Sequence, residues 1–528
     1  MNDLVLPLSL RWARSRVNYI DATGVTRGWG SGGTAETTDF GGSRVGATID
    51  FTPHGGRTSE DQRERAKLQS SLMALRGKSG RIWLGDDSYL QEGNFPAPEI
   101  FSNSDFSLGT NGWTAGGTGA ISVDDAVLRL AATASGGTPS LVQSVSLVQN
   151  APYALRSFIM DGLNSSGLSV GVQLALSGSV SVTTYSTSRG YHLASGVVLD
   201  PGSISRAAAV IASTTGYTSD VHIEVPFTSL ARCMLVDGGG NRLQYSDQQD
   251  NAAWTKTELT ATANAATAPD GTSTAEKLTE STNLADHFIL QAQPRTSQAE
   301  DLCAYGYFKQ NTLDRDVRLQ IDDGAGNGGF AIFDLSAGTV GSVTGLSAGS
   351  HARAFISSAG GDWYLCQVIA RCPATTSIRA VAYMVSAGAI NYTGTTGAIS
   401  SWRMGAYQSS VPTRGTQTTN AAVAAETRAG VALYVKGLPA STTNLLRRGA
   451  WIEIDGQLRM VTTRLDSNAA GLGYLQFSPP LRRAVSDNTP IIVHRPMGRF
   501  MLAGDAGFNN VPGRWTSASI DLEEANAA

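Results

Sequence analysis

Residues 140–158 read Ser140-Leu141-Val142-Gln143-Ser144-Val145-Ser146-Leu147-Val148, then Gln149-Asn150-Ala151-Pro152, then Tyr153-Ala154-Leu155-Arg156-Ser157-Phe158. Two short apolar-rich runs with a polar, Pro-containing break between them are the mark of strands joined by a turn. The rhythm recurs at 126–130, 168–176, 207–211 and 221–225, with no helical period in between. An antiparallel sandwich or jelly roll is therefore expected over 98–235.

Outward from there the pattern repeats and then changes. After the break Asp237-Gly238-Gly239-Gly240, strand candidates follow at 275–278, 287–291, 302–309, 317–321, 331–334, 354–357, 363–369 and 377–384, so 236–415 reads as a second sandwich of similar type. The flanks differ. Leu4, Leu6, Leu8 and Leu10 alternate as in a half-buried strand, as do Val45, Ala47, Ile49 and Phe51. Ala66, Leu68, Leu72 and Leu75 fall on one helical face, predicting a helix over 58–76 that ends at Gly77. Strands are expected again at 431–435, 451–454, 458–463 and 474–477, with Asp455-Gly456 as a tight hairpin turn. The simplest account is one outer domain built from 1–97 and 416–528 that carries 98–415 as an insertion. Loop-closure entropy grows only logarithmically with length, so an insertion of this size is tolerable.

Composition excludes several classes. Charged residues make up 16% of the 528, against roughly 25% in an average soluble domain, while Gly reaches 59. A hydrophobic fraction of 41% still supplies cores, so wholesale disorder is not expected. Net charge is −4, which leaves no global basic footprint for nucleic acid. No apolar run approaches a membrane span, and Arg11, Arg14 and Arg16 follow the short N-terminal apolar stretch, the wrong order for a secretory signal. Cys233, Cys303, Cys366 and Cys372 form no CxxC pair, so free thiols in a chain made in a reducing cytosol are expected rather than a zinc site.

Two further groups of motifs carry a resemblance. The blocks Asn241-Arg242-Leu243-Gln244-Tyr245-Ser246-Asp247-Gln248, Asn251-Ala252-Ala253-Trp254, Ala268-Pro269-Asp270-Gly271-Thr272, Tyr305-Gly306-Tyr307-Phe308-Lys309 and Trp363-Tyr364-Leu365-Cys366 resemble the carbohydrate-binding-like β-sandwich modules of bacteriophage tail proteins. The opening Asn103-Ser104-Asp105-Phe106 with Gly112-Trp113 is similar to that of carbohydrate-binding jelly rolls. The C-terminal block, Gly456 to Val461, Phe477-Ser478-Pro479-Pro480-Leu481-Arg482, Pro496 to Ala503 and Pro512-Gly513-Arg514-Trp515, resembles the distal tail proteins of siphovirus-type phages. That resemblance implies a mainly β chain: a tail-tube-like β-sandwich with one helix, built from both termini, plus two inserted sandwiches. It implies a structural, non-enzymatic subunit of the virion tail tip, assembled in the host cytoplasm as a ring of six-fold symmetry. The ring would join the tail tube protein to the baseplate hub, with inserts touching host-surface glycans or neighbouring baseplate proteins. The size of the insertion leaves open a larger baseplate or fibre component, so a receptor-binding fibre or spike is the alternative; a polysaccharide-degrading tail enzyme is a third reading, for which the sequence names no nucleophile.

Candidate side chains follow from chemistry. Sugar C–H groups stack on aromatic faces while Asp and Asn pair the hydroxyls, which singles out Trp113 and Trp254 with Asp247 and Asn251; the competing reading places each Trp in a core. Arg11, Arg14, Arg16, Arg482 and Arg483 are the basic clusters and could line a ring interface against Glu523 and Glu524 of an adjacent copy; the competing reading is a solvated face. Asp322-Asp323-Gly324-Ala325-Gly326-Asn327 gathers oxygen ligands and could hold a structural calcium, but lacks the bidentate Glu of an EF-hand loop. No cofactor is otherwise implied. The six His are scattered with no HExxH spacing, and no P-loop is present.

Overall fold

The structure is a computed structural model. It describes residues 3–5, 12–20, 23–27, 35–39, 44–51 and 81–85, and 93–525 apart from 97, 125–126, 134–137, 162–167, 177–179, 187–189, 199–203, 212–220, 348–350, 420, 423–427, 504–506 and 511–515. Every regular element among the described residues is a β-strand. The helix expected over 58–76, the Gly-rich stretch 28–33 and Arg11 lie outside the described residues.

Strands from both ends of the chain share one sheet, in the order Asp3–Val5, Arg81–Gly85, Met497–Leu502, Thr516–Glu524, Arg44–Phe51, Trp12–Ile20. Arg81–Gly85 runs antiparallel to Met497–Leu502, with Gly85 opposite Met497 and Trp83 opposite Arg499. Thr516–Glu524 pairs in turn with Arg44–Phe51, Leu522 facing Ala47. The chain therefore leaves this sheet at Gly85 and re-enters it on the adjacent strand at Met497.

The first excursion is a sandwich of two five-stranded antiparallel sheets. One centres on Ile204–Ile211 and Val170–Leu176, the other on Pro152–Asp161 and His222–Arg232. Leu141, Val172 and Leu174 of one sheet meet Leu128, Leu155, Ile223 and Val225 of the other in a single buried cluster. Alternation explains it: Leu128 and Leu130 are buried and Arg129 between them is exposed, because successive side chains point to opposite faces.

The second excursion is a ten-stranded sheet whose spine is two long strands, Phe288–Thr312 and Trp363–Val385, paired along most of their length. Their register shifts between Pro294 and Glu300. Bulges of this kind bend strands and let one strand serve two layers. Residues on both sides of the bend, Ile289 and Phe308, Val368 and Ala380, close around one core with Leu319 and Phe333.

Met234–Val236, Arg428–Lys436, Gly473–Val485, Gln457–Val461, Trp451–Ile454 and Pro490–Ile492 close into a barrel around Leu433, Ile452, Leu475, Phe477 and Ile491. Residues 428–492 thus form a separate body together with Met234–Val236, the strand that lies between the two sandwiches in the chain, and of the C-terminal strands only those from Met497 onward enter the terminal sheet. The Asp455-Gly456 hairpin forms as expected: Ile454 pairs with Gln457, and both turn residues take positive φ, 52° and 71°.

Candidate functional site

Trp113 and Trp254 are core residues. Trp113 is 5% exposed, tilts against Phe101 and Phe106 at 4.8 and 5.6 Å between ring centroids, and donates its indole N–H to the Asn103 carbonyl at 2.9 Å. Trp254 is 1% exposed and donates to the Tyr245 carbonyl at 2.9 Å. Neither offers a ring face to a sugar, which corrects the sequence expectation: a large aromatic at the mouth of a sandwich gains more from burial than from exposure. Asp247 and Asn251 share a loop with Trp254 but serve the loop itself. Asp247 is buried, accepts from Ser246 Oγ at 2.9 Å and lies 3.6 Å from Arg403 Nε; burial raises its carboxyl pKa against the pull of Arg403. Asn251 Oδ1 accepts the Ala253 N–H at 2.9 Å. Lys256 Nζ closes the loop, donating to the carbonyls of Gln249, Asp250 and Asn251 at 2.9–3.0 Å.

The Asp322–Asn327 turn is also internally satisfied. Asp322 pairs with Arg379 at 2.8 Å, and Asp323 accepts from the N–H groups of Ala325 and Asn327. Among the described residues, no group of three or more His, Cys, Asp or Glu is placed to hold a metal. All four cysteines are free and buried; burial pushes Cys233, Cys303 and Cys372 up to about 12. Two stretches, 167–171 and 345–349, carry G-x-S-x-G spacing, but Ser169 runs directly into the strand Val170–Leu176 and Ser347 lies between the strands Thr339–Gly345 and Ala352–Gly360. Neither has the strand-to-helix turn of a nucleophile elbow.

Three bodies meet elsewhere. Trp83 of the terminal sheet stacks on Tyr191 of the first sandwich, with centroids 4.1 Å apart and planes 18° from parallel. The barrel hairpin reaches them through Gly456, where an added Cβ would lie 2.8 Å from the Trp83 ring. Beside this contact opens a cleft of about 720 Å³, within the usual range for ligand pockets. Tyr191, Leu193 and Trp83 supply its aromatic and apolar lining; Asp455, Gln457, Arg482, Arg483, Arg499 and Glu524 supply the polar lining.

The polar groups are held by a fixed lattice. Gln457 Oε1 accepts the backbone N–H of Arg482 at 2.9 Å and Arg459 Nη2 at 3.0 Å. Arg459 is fully buried and pairs with Glu524 at 2.6 Å; burial lowers its pKa, opposed by Glu524. Arg482 donates Nη1 to the Glu524 carbonyl at 3.0 Å, and Arg483 donates to the Asp455 carbonyl at 2.8 Å and pairs with its carboxylate. Arg482 thus meets Glu524 of its own chain, where the sequence reading set these arginines against Glu523 and Glu524 of an adjacent copy. Arg14 and Arg16 lie on Trp12–Ile20, an edge strand of the terminal sheet, away from this group in the strand order.

Sequence reasoning missed Trp83, Tyr191, Asp455, Gln457 and Arg499, because their juxtaposition depends on three bodies meeting. It also missed the exposed aromatic pair Tyr434 and Tyr474, 42% and 48% exposed on the barrel exterior with centroids 5.0 Å apart. Cross-strand pairing of positions 434 and 474 creates that pair, and Arg414 lies 4.4 Å over the Tyr434 ring.

No family model matches the chain, and no curated protein matches it. Among solved structures it is similar to the N-terminal CBM22-1–CBM22-2 tandem domain of Paenibacillus barcinonensis Xyn10C: 11% identity over 60% of this chain and 98% of that one, TM-score 0.22. It is similar to the M60 catalytic domain with CBM51-1 and CBM51-2 of Clostridium perfringens ZmpB at 8% identity, over 77% of this chain and 43% of that one, TM-score 0.16. The ANXUR2 extracellular domain of Arabidopsis thaliana gives 11% identity over 60% and 100%, TM-score 0.15. None of the three scores defines a shared fold.

Proposed function

We propose that this chain is a structural, non-enzymatic subunit of a bacteriophage tail tip. In this reading the terminal sheet self-associates into a ring, six-fold by the resemblance, between the tail tube protein and the baseplate hub. The two sandwiches and the barrel project from it toward host-surface glycans or neighbouring baseplate proteins.

One observation carries the reading: the excursion from Gly85 to Met497 begins and ends on adjacent strands of a sheet made from both chain ends. A sheet so built is a platform whose insertions change without altering its own pairing. Its outermost described strands, Asp3–Val5 and Trp12–Ile20, each pair on one side only among the described strands. Such edges invite pairing with another copy, and a closed ring leaves none open. Several copies on one particle would multiply weak glycan contacts through effective concentration.

Immunogold labelling of intact particles with an antibody to this chain tests the reading. Label confined to the tail end distal to the capsid supports it; particles that lack the chain overturn it.

A further inference from the structure

We propose that the outer face of the barrel at Tyr434 and Tyr474 binds a neutral hexopyranose by its C–H face. The inference rests on the glycan-contact reading above and names the site and the ligand class.

Burial comes first. Trp113, Trp254, Trp363 and Trp402 are all buried, whereas Tyr434 and Tyr474 stand nearly half exposed on the solvent side of the barrel. They lie directly opposite each other on neighbouring strands, with planes 54° apart, so the pair is tilted and not stacked face to face. Arg414 lies over the Tyr434 ring and props it from one side. Neither tyrosine hydroxyl has a hydrogen-bond partner among the described residues. Two aromatic rings left in water, each with an unpartnered hydroxyl, present a C–H-binding surface and polar tips together.

Polar groups and shape come second. Side chains alternate along a strand, so Gln476 shares the outer face with Tyr474, about 7 Å further on, and lies opposite Ala432. Thr463 donates its hydroxyl to Gln476 Oε1 at 2.8 Å, which holds the amide and leaves Nε2 free to donate. Ala432 is small, so the two rings rise beside a low floor. Leu433, Leu475 and Phe477, which alternate with these residues, are buried in the barrel core, and little ordering is needed on binding. None of Ala432, Tyr434, Tyr474 and Gln476 carries a charge, which fits a neutral ligand. An apolar protein surface laid here would strand Gln476 Nε2 and both hydroxyls without partners; a sugar ring supplies a C–H face and hydroxyls at once.

The test is saturation-transfer difference NMR of the full chain with cellopentaose and, separately, with lactose. Saturation is expected to reach the ring C–H protons of at least one of the two sugars. Tyr474→Ala is expected to reduce that transfer at least tenfold and Gln476→Ala at least threefold, while Tyr474→Phe, which keeps the ring, retains at least half of it. Tyr474 and Gln476 lie on the solvent face, so each variant is expected to keep the parental melting temperature, which separates loss of binding from loss of fold.

Absence of transfer to both sugars overturns the inference, as does transfer that survives Tyr474→Ala or is lost equally in Tyr474→Phe. Loss of self-association in Tyr474→Ala without any sugar binding would assign the face to a neighbouring copy and also overturn it. A chain that forms rings at the tail tip but ignores both sugars defeats this inference alone; a chain that binds sugar through Tyr474 but is missing from tail tips defeats the tail-tip reading alone.

Discussion

Arg156 of the first sandwich and Glu453 of the barrel, 297 residues apart, pair at 3.2 Å with each side chain 1% exposed. The pair is completed from both sides. Arg156 also donates to the carbonyls of His494 and Arg495, at 2.8 and 2.9 Å, while Glu453 accepts from Tyr191 OH at 2.7 Å and the Met497 N–H at 2.9 Å. Burial raises the Glu453 carboxyl pKa against the pull of Arg156, and burial raises the Tyr191 hydroxyl pKa well above its usual value. Two charges so enclosed are costly to separate, because removing one strands the other.

Arg156→Met is therefore expected to destabilise the chain by about 3–5 kcal/mol, and Arg156→Met with Glu453→Leu to recover most of that loss. Urea unfolding of the full-length variants measures both. A single variant as stable as the parent would show that the pair does not bind sandwich to barrel.

Two carboxyls in the second sandwich give its stability a pH dependence of opposite sign. Glu280 is buried, which alone would raise its pKa, but hydrogen bonds from Arg315, Tyr392, Thr395 and Gly397 bring it down to about 2. Its folded value lies below its unfolded one, so its contribution is present above the unfolded value and is lost as pH falls toward 2. The loss reaches about 3 kcal/mol. Glu276 is raised to about 8 by burial and by Asp250. Its contribution is complete below the unfolded value and is lost as pH rises through 8. Glu276→Gln should flatten the alkaline side of a plot of melting temperature against pH and leave the acid side unchanged; an unchanged alkaline side would refute the assignment.

Gly456→Ala is expected to cost about 1–3 kcal/mol, because position 456 requires positive φ and the new Cβ would meet the Trp83 ring. The near-ultraviolet circular dichroism of Trp83 stacked on Tyr191 should change with it. A variant with parental stability and spectrum would mean that the hairpin does not press on that ring.

Trp254→Ala should lower stability by about 3–5 kcal/mol, the cost of emptying a core site. A variant that kept its stability but lost sugar binding would restore Trp254 as a ligand platform.

The strands were legible because burial alternates along them: Leu128 and Leu130 against Arg129, or Leu433 and Val435 against Tyr434, can be read from spacing alone. The Asp455-Gly456 turn was legible because so few residue types tolerate its backbone. What the sequence did not disclose was set by long-range contacts. Trp113 looked available for a sugar until Phe101 and Phe106 covered it. The stretch 428–492 looked continuous with the terminal domain because its strands have the same composition; closure on Met234–Val236 is a pairing between distant segments. Trp83, Tyr191 and Arg499 carry no shared motif, and only the meeting of three bodies makes them neighbours.

Self-association of a platform built from both chain ends is the central claim, and mass photometry of the purified full chain, followed by negative-stain imaging, tests it most directly. The expected result is a closed ring with a central opening and lobes on its outside. A chain that stays a single copy at high concentration would contradict it.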